Sequence, residues 1–202
     1  MKIYDTITQG SEEWFNIRKM KLTASKATAI ISAGKGLETL VYDLLSDKYS
    51  GYTNEEWEGN SYTENGNELE DVARGIYEMK TGNKIEQVGF IELNENVGCS
   101  PDGLVGDDGL WECKWKKNQN YFRDLLEKEK PDSGHFNQAQ FQMYVTGRKW
   151  CDLSYYNPNF KKSINTIRIE RDPTTQEKIK LGVAKGIELL KSIESKYNNI
   201  IR

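Results

Sequence analysis

The segment GLWECKWKK, residues 109–117, limits most strongly what this chain can become. Its alternation reads as a strand, and side chains two apart on a strand share a face. Trp111, Cys113 and Trp115 then point into a core, while Glu112 and Lys114 project together from the other face. Charge on a half-buried strand is costly unless it is paired or bound to a metal. Any fold for this chain must therefore bring a partner to this pair.

A partner stands just upstream, in CSPDGLVGDDG. Asp102 ends or lies in the preceding strand, and the GDDG turn brings it beside Glu112. Two carboxylates alone repel, so that one tends to keep a proton. A divalent cation removes that conflict, and Mg²⁺ prefers one or two protein carboxylates with waters and phosphate oxygens. Lys114 cannot be a ligand while charged, but it can orient water or stabilise charge on a phosphate. The other reading of the same residues is a surface salt bridge, Glu112 with Lys114, beside an acidic turn.

Several chemistries are excluded. His135 is the single histidine, so no metal site rests on several imidazoles, and a Ser-His-Asp or Cys-His device would have to run through it without a Gly-x-Ser-x-Gly elbow. No phosphate-cradling glycine loop follows a strand. Cys99, Cys113 and Cys151 form no CxxC pair, which fits a reducing compartment. The first residues, MKIYDTITQG, lack the apolar core of a signal peptide, and no apolar run approaches the ~18 residues of a membrane span. A cytoplasmic protein is expected. The net charge of −3 argues weakly against a nucleic-acid partner, yet RKMKLTASK (18–26) and KWKK (114–117) concentrate positive charge locally.

The periodicities predict helices over SEEWFNIR with Ser11 as N-cap, from Thr23 or Ser25 through ASKATAIIS, over LETLVYDLLSDKYS stopped by Gly51, and over NELEDVARGIYEMKT stopped by Gly82. Between the last two lies a polar loop, residues 51–67. KIEQVGFIEL, VGCSPDGLV and GLWECKWKK read as three strands of an antiparallel meander. Helices over NYFRDLLEKE and HFNQAQFQMYVTG follow, then strands KWCDLSYYN and INTIRIERD, and a long helix from Thr174 with apolar residues at 179, 183, 187, 190, 193, 197 and 200. This order implies an α/β fold, a central mixed sheet flanked by helices. No repeat or linker is visible, so residues 1–202 read as one domain: helices 11–50 packed on a core of about 62–172, closed by the helix 174–202.

P-D-(x)9-E-x-K resembles the signature of the PD-(D/E)XK nuclease superfamily, and CSPDGLVGDDGLWECK more specifically resembles the phage lambda exonuclease family, the YqaJ-like viral recombinases. Other segments agree in order. QGSEEWFNIRKMKLTAS (9–25) is similar to that family's Q-G-x-x-x-W-x-x-x-R-x-x-x-x-T-A-S, and NGNELEDVAR (65–74) to its G-x-x-x-E-x-x-A-R helix. QAQFQMYVTG (138–147) matches its Q-x-x-x-[YW] helix, and YYNPN and IERD (169–172) match its late strands.

The resemblance implies Asp102 and Glu112 as metal ligands, with the Cys113 backbone carbonyl completing the shell, Lys114 as the catalytic lysine, and Glu70 as a further acid of the site. Glu92 falls where the family places another acid, with Asn94 competing. Arg18, Ser25 and Ser100 would form a pocket for a 5′-terminal phosphate; for Arg18 the alternative is a solvated helix residue, for Ser25 a plain N-cap. Trp14 lies one helical turn before Arg18, where packing is the first expectation. Gln140 and Tyr144, one turn apart, would contact DNA or simply pack. The family wedges strands apart with an apolar residue before the Glu70 helix, and here Tyr62 is the bulky candidate.

The implied activity is a Mg²⁺-dependent 5′-to-3′ exonuclease on double-stranded DNA ends, with Mn²⁺ able to substitute, leaving 3′ overhangs for recombination. Attack by metal-activated water would be assisted by Lys114, with two metals ~4 Å apart as one arrangement. A trimeric ring, a single-strand annealing protein as partner and the bacterial host cytoplasm belong to the same implication. The alternatives are a restriction-type or structure-specific endonuclease on this core, and a non-catalytic DNA-binding protein on that scaffold.

Overall fold

The computed structural model describes residues 1–51, 63–127 and 130–201, with the side chains of 63–68 left aside. In chain order the elements are β1 (Lys2–Tyr4), α1 (Glu12–Arg18), β2 (Leu22–Thr23), a 3₁₀ turn (Ala24–Lys26), α2 (Ala27–Ser32), α3 (Lys35–Ser50), α4 (Thr63–Thr81), β3 (Ile85–Glu86), β4 (Phe90–Asn94), β5 (Val97–Cys99), β6 (Gly103–Val105), β7 (Gly109–Trp115), α5 (Asn118–Glu127), α6 (Ser133–Thr146), β8 (Trp150–Tyr156), β9 (Ile164–Glu170) and α7 (Pro173–Ile200). None of these helices is long and apolar enough to cross a membrane.

The mixed α/β architecture follows the sequence, but the meander does not form as three strands. It breaks into five, which divide between two mixed sheets of order β1-β4-β5-β2 and β3-β6-β7-β8-β9. Two residues explain the breaks. Pro101 has no N–H to give to a ladder, so VGCSPDGLV cannot run through as one strand. Gly89 interrupts the strand before it: a Cβ there would lie 2.0 Å from the carbonyl oxygen of Ile7, so the chain segment before α1 packs directly on its backbone.

The second sheet is covered on both faces. Ala73 and Tyr77 of α4 pack with Trp111, Val105, Tyr156 and Ile164 on one side. On the other, α6 lies across both sheets, against β4, β5 and β8, and buries Ala139, Phe141, Met143 and Val145 in the main core. β7 and β8 are parallel, as the crossover through α5 and α6 requires. Trp115 departs from its expected place: it is 43% exposed, because the strand has passed the edge of the α4 cluster. The apolar stripe of α7 is buried through Leu190, but Ile200 is 81% exposed.

Candidate active site

The break at Pro101 makes the site. β6 pairs with β7 only from Gly103↔Trp111 to Val105↔Gly109, so the edge of β7 from Glu112 onward lies open where the sheets part. Asp102 sits in that gap and accepts the Cys113 amide hydrogen at 2.7 Å through Oδ2. In an extended strand the N–H and C=O of one residue project to the same edge, so the Cys113 carbonyl is directed toward the same gap.

Glu112 and Lys114 share the face of β7 toward α6. Glu112 is 1% exposed, and Lys114 Nζ lies 2.6 Å from its Oε1. Gln138 Nε2 donates to Oε1 at 2.5 Å and Gln142 Nε2 to Oε2 at 2.7 Å. Each carboxylate oxygen has two lone pairs, so these donors orient Glu112 without exhausting its capacity as a ligand.

Glu70 reaches the gap from α4 and lines a cavity of about 340 Å³ with Asp102, Asp71 and the segment 5–9. That segment is clamped by Gln9, whose Nε2 donates to the carbonyls of Val88 and Pro101, both at 3.0 Å.

The electrostatics are those of an acid cluster short of positive charge. Burial, then repulsion from Glu112 and Glu70, pushes the Asp102 carboxyl well above the usual range, against the pull of Lys114. Burial and Glu112 push Glu70 up to about 7. For Lys114 burial works downward, but Glu112 and Asp102 prevail and hold it above its ordinary value, so it stays cationic.

The donors fit a hard cation. They are oxygens, with no imidazole, and burial and neighbouring carboxylates hold the Cys113 thiol high, hence protonated. Among the described residues no three His, Cys, Asp or Glu side chains group to hold a metal by themselves. Mg²⁺ does not need that: one or two carboxylates with a carbonyl, waters and phosphate oxygens suffice. Asp102 and Glu112 supply that set, and a cation there would relieve the repulsion that raises Asp102.

A second array adjoins the gap. Ser11 caps α1, its Oγ accepting the Trp14 amide at 3.2 Å. The Trp14 indole N–H donates to Ser100 Oγ at 2.8 Å and to the Gly89 carbonyl at 3.1 Å. The Arg18 guanidinium lies 4.0 Å from the Trp14 ring centroid. Trp14 is therefore more than packing: it ties Arg18 to Ser100, two residues from Asp102. Ser25 is exposed in the 3₁₀ turn, with Oγ 3.2 Å from Thr23 Oγ1.

Other expected residues lie elsewhere. Gln140 is fully buried: it donates to the Glu170 carbonyl at 2.7 Å and accepts from the Asp172 amide and Gln176 at 3.0 Å, locking α7 to α6. Tyr144, on the same side of α6, packs near Phe141. Gln140 is thus a packing residue, while Tyr144 is half-buried and lines a surface pocket with Arg171 and Lys180. Glu92 accepts from Tyr4 at 3.1 Å and faces Lys21 at 3.8 Å, away from the gap. Tyr62 lies outside the described residues. The glutamines that meet Glu112 are 138 and 142, and their signal was the i,i+4 spacing of QAQFQ.

Comparisons with known proteins place this geometry. Residues 13–149 match the YqaJ-like viral recombinase domain. An alkaline exonuclease from Laribacter hongkongensis superposes with a TM-score of 0.83 at 31% identity, over 95% of this chain and 98% of that one. Its structure in complex with dAMP gives 0.83 at 32% identity, over the same shares of the two chains. A phage related exonuclease from Haemophilus somnus 129PT shares the fold, with a TM-score of 0.71 at 19% identity, over 90% of this chain and 98% of that one. No curated protein sequence matches. The matched span contains the Trp14–Arg18 array, Glu70, the Asp102–Lys114 gap and the glutamines of α6, and the chain belongs to the YqaJ-like viral recombinase family.

Proposed function

We propose that this chain is a Mg²⁺-dependent exonuclease that degrades one strand of double-stranded DNA from a 5′-phosphorylated end, leaving a 3′ single strand for recombination. The observation that carries the reading is the gap itself: three carboxylates sharing one lysine, with an arginine and a serine joined through Trp14 beside them. The alkaline exonuclease relatives support it, and one of them was solved with dAMP, a 5′-mononucleotide such as this reaction releases.

Asp102 and Glu112, with the Cys113 carbonyl and Glu70 nearby, would hold Mg²⁺ or Mn²⁺, which would supply Lewis-acid charge for a phosphate oxygen and make water a better nucleophile. The chain does the rest. Gln138 and Gln142 fix the Glu112 carboxylate. Lys114 keeps its proton, so it acts as a donor that steadies charge on the phosphoryl oxygens and not as a base. Arg18, stacked on Trp14, meets the terminal phosphate by its fork, with Ser100 and Ser25 as hydroxyl donors. Water adds to phosphorus, the P–O3′ bond breaks, the 3′ oxygen leaves as a hydroxyl, and the shortened strand keeps a new 5′ phosphate.

The same reading places the enzyme in the bacterial host cytoplasm as a trimeric ring that digests processively and hands its product to a single-strand annealing protein. Light scattering and a challenge with excess unlabelled DNA test the ring. The activity is tested on linear duplex with 5′-phosphate, linear duplex with 5′-hydroxyl and closed circular DNA, each with Mg²⁺ or chelator. Faster digestion of the phosphorylated than of the hydroxyl linear duplex, with the circle left intact and all digestion abolished by chelator, is expected; cutting of the circle assigns an endonuclease instead. Arg18→Ala should lower the rate on phosphorylated ends about 10- to 100-fold more than on hydroxyl ends, the value of a charged hydrogen bond of roughly 1.5–3 kcal/mol. Equal loss on both ends would remove Arg18 from phosphate recognition.

A further inference from the structure

Arg18 also lines a second cavity, of about 240 Å³, whose lining does not include Ser100. Its floor is apolar, made by Met20, Leu40 and Leu44, with Phe15 beside them. Among the described residues, five cations line it against one acid, Asp47. Of these, Lys21 donates to the Glu95 carbonyl at 2.8 Å and Lys48 pairs with Glu194 at 2.5 Å. Lys19 and Lys26 are exposed and make no side-chain hydrogen bond or ion pair among the described residues.

The backbone is bent to make this wall. Lys21 N–H donates to the Arg18 carbonyl at 3.1 Å, closing a turn in which Lys19 has φ −52 and ψ 137 and Met20 has φ 62. That is a type II turn, whose third residue is ordinarily glycine. A methionine there is strained, because its Cβ crowds the following carbonyl oxygen. In return its side chain reaches the floor and Lys19 stands at the rim.

A lone phosphate has no use for an apolar floor. A nucleotide does: its base faces are apolar and its phosphate is anionic. Arg18 is common to this cavity and to the array that leads through Trp14 and Ser100 to Asp102, so the cavity continues the strand path outward from the site of cleavage. We propose that it is a subsite for one nucleotide 5′ to the phosphate held at Arg18, its base on Met20 and Leu44 and its phosphate on Lys19 and Lys26. Resting on the exonuclease reading above, this means that ends with a short 5′ single-strand extension are accepted. The first hydrolysis of such an end releases an oligonucleotide longer by the seated nucleotide, by the same breaking of the P–O3′ bond.

The test compares blunt, 5′-phosphorylated duplex with duplex carrying a one-nucleotide 5′ extension, for the wild-type chain and the Lys19→Ala/Lys26→Ala variant. First products are sized, and binding of a 5′-phosphorylated oligothymidylate in chelator is followed by anisotropy. We expect a dinucleotide as the first product from the extended end. The double variant should lose roughly 5- to 10-fold in rate on extended ends relative to blunt ends, as two exposed charge contacts allow. Its slope of log binding constant against log salt should fall by about 0.7, the value for one single-strand phosphate. Wild-type digestion of blunt ends with only mononucleotides from extended ends, or an unchanged slope in the variant, would overturn the subsite and leave the exonuclease reading standing. Failure of the wild type on every linear duplex would overturn both.

Discussion

Two acids on either side of β7 meet opposite fates. Asp152 on β8 stands opposite Trp111, one residue from Glu112 along the register. It is 5% exposed and fully answered: Tyr77 donates its hydroxyl at 2.7 Å, and Arg168 binds both oxygens, with Nη2 at 2.9 Å. Asp102 has one backbone amide and shares Lys114 with Glu112 and Glu70. The sheet can plainly supply a guanidinium to an acid, and at the gap it does not. A local shortage of positive charge, set beside a satisfied acid in the same sheet, marks the place built for something the chain does not contain.

The comparison breaks first at Asp102. Asp102→Asn keeps the acceptor for the Cys113 amide and removes a charge from a crowded cluster. Nuclease activity should fall about a thousandfold or more, roughly 4 kcal/mol of transition-state stabilisation. Thermal stability should hold or rise, since the lost charge was repelled by its neighbours. Substantial activity in the purified variant, read against duplex DNA, would remove Asp102 from the chemistry.

Asp152→Ala should do the reverse. It leaves the Tyr77 hydroxyl buried without its acceptor and Arg168 without its partner, at a cost of about 2–4 kcal/mol in unfolding free energy. Activity per folded molecule should be kept. Denaturant titration gives the first quantity, and a rate normalised to the folded fraction gives the second. A stable but inactive variant would blur the distinction between the two acids.

Metal completes the contrast. If the gap holds Mg²⁺ only when folded, the ion at 100 times its dissociation constant stabilises by about 2.7 kcal/mol. The rise in melting temperature on adding Mg²⁺ should vanish in Asp102→Asn and persist in a mild Asp152 variant such as Asp152→Asn. An equal rise in both would mean that the ion binds elsewhere.

Much of this was legible before any coordinates. Helix α3 follows from apolar residues 37, 40, 41 and 45 and the left-handed Gly51 that ends it. The alternation of β7 placed Glu112 and Lys114 on one face, and the Asp102 spacing placed the acid beside them. What was not legible depended on contacts distant in sequence. The pattern of VGCSPDGLV predicts one strand through Pro101, whose missing N–H instead splits one expected sheet into two. Glu92 lies ten residues before Asp102, but a strand position says nothing of which sheet it joins. β4 went to the sheet that offers Tyr4 and Lys21.

The glutamines of α6 show the same limit at its smallest scale, and they give the finest test. Residues 138, 140 and 142 alternate in sequence, but a helix puts 138 and 142 on one face and 140 with 144 on another. Sequence alone cannot say which face meets Glu112. In the fold, Gln142 is fully buried with its amide on Glu112 Oε2, and Gln140 is equally buried with its amide on the backbone of Glu170. Gln142→Leu should therefore act on chemistry: removing a group that orients a metal ligand costs 10- to 100-fold in metal affinity or activity, about 1.4–2.7 kcal/mol, with little loss of fold. Gln140→Leu should act on stability, about 1–3 kcal/mol for the stranded backbone groups at the start of α7, with the rate per folded molecule unchanged. Measuring Mg²⁺ dependence of the rate and the denaturation midpoint for both variants separates the faces. Interchanged effects would put the wrong face of α6 on the site, and identical effects would make the helix a scaffold alone.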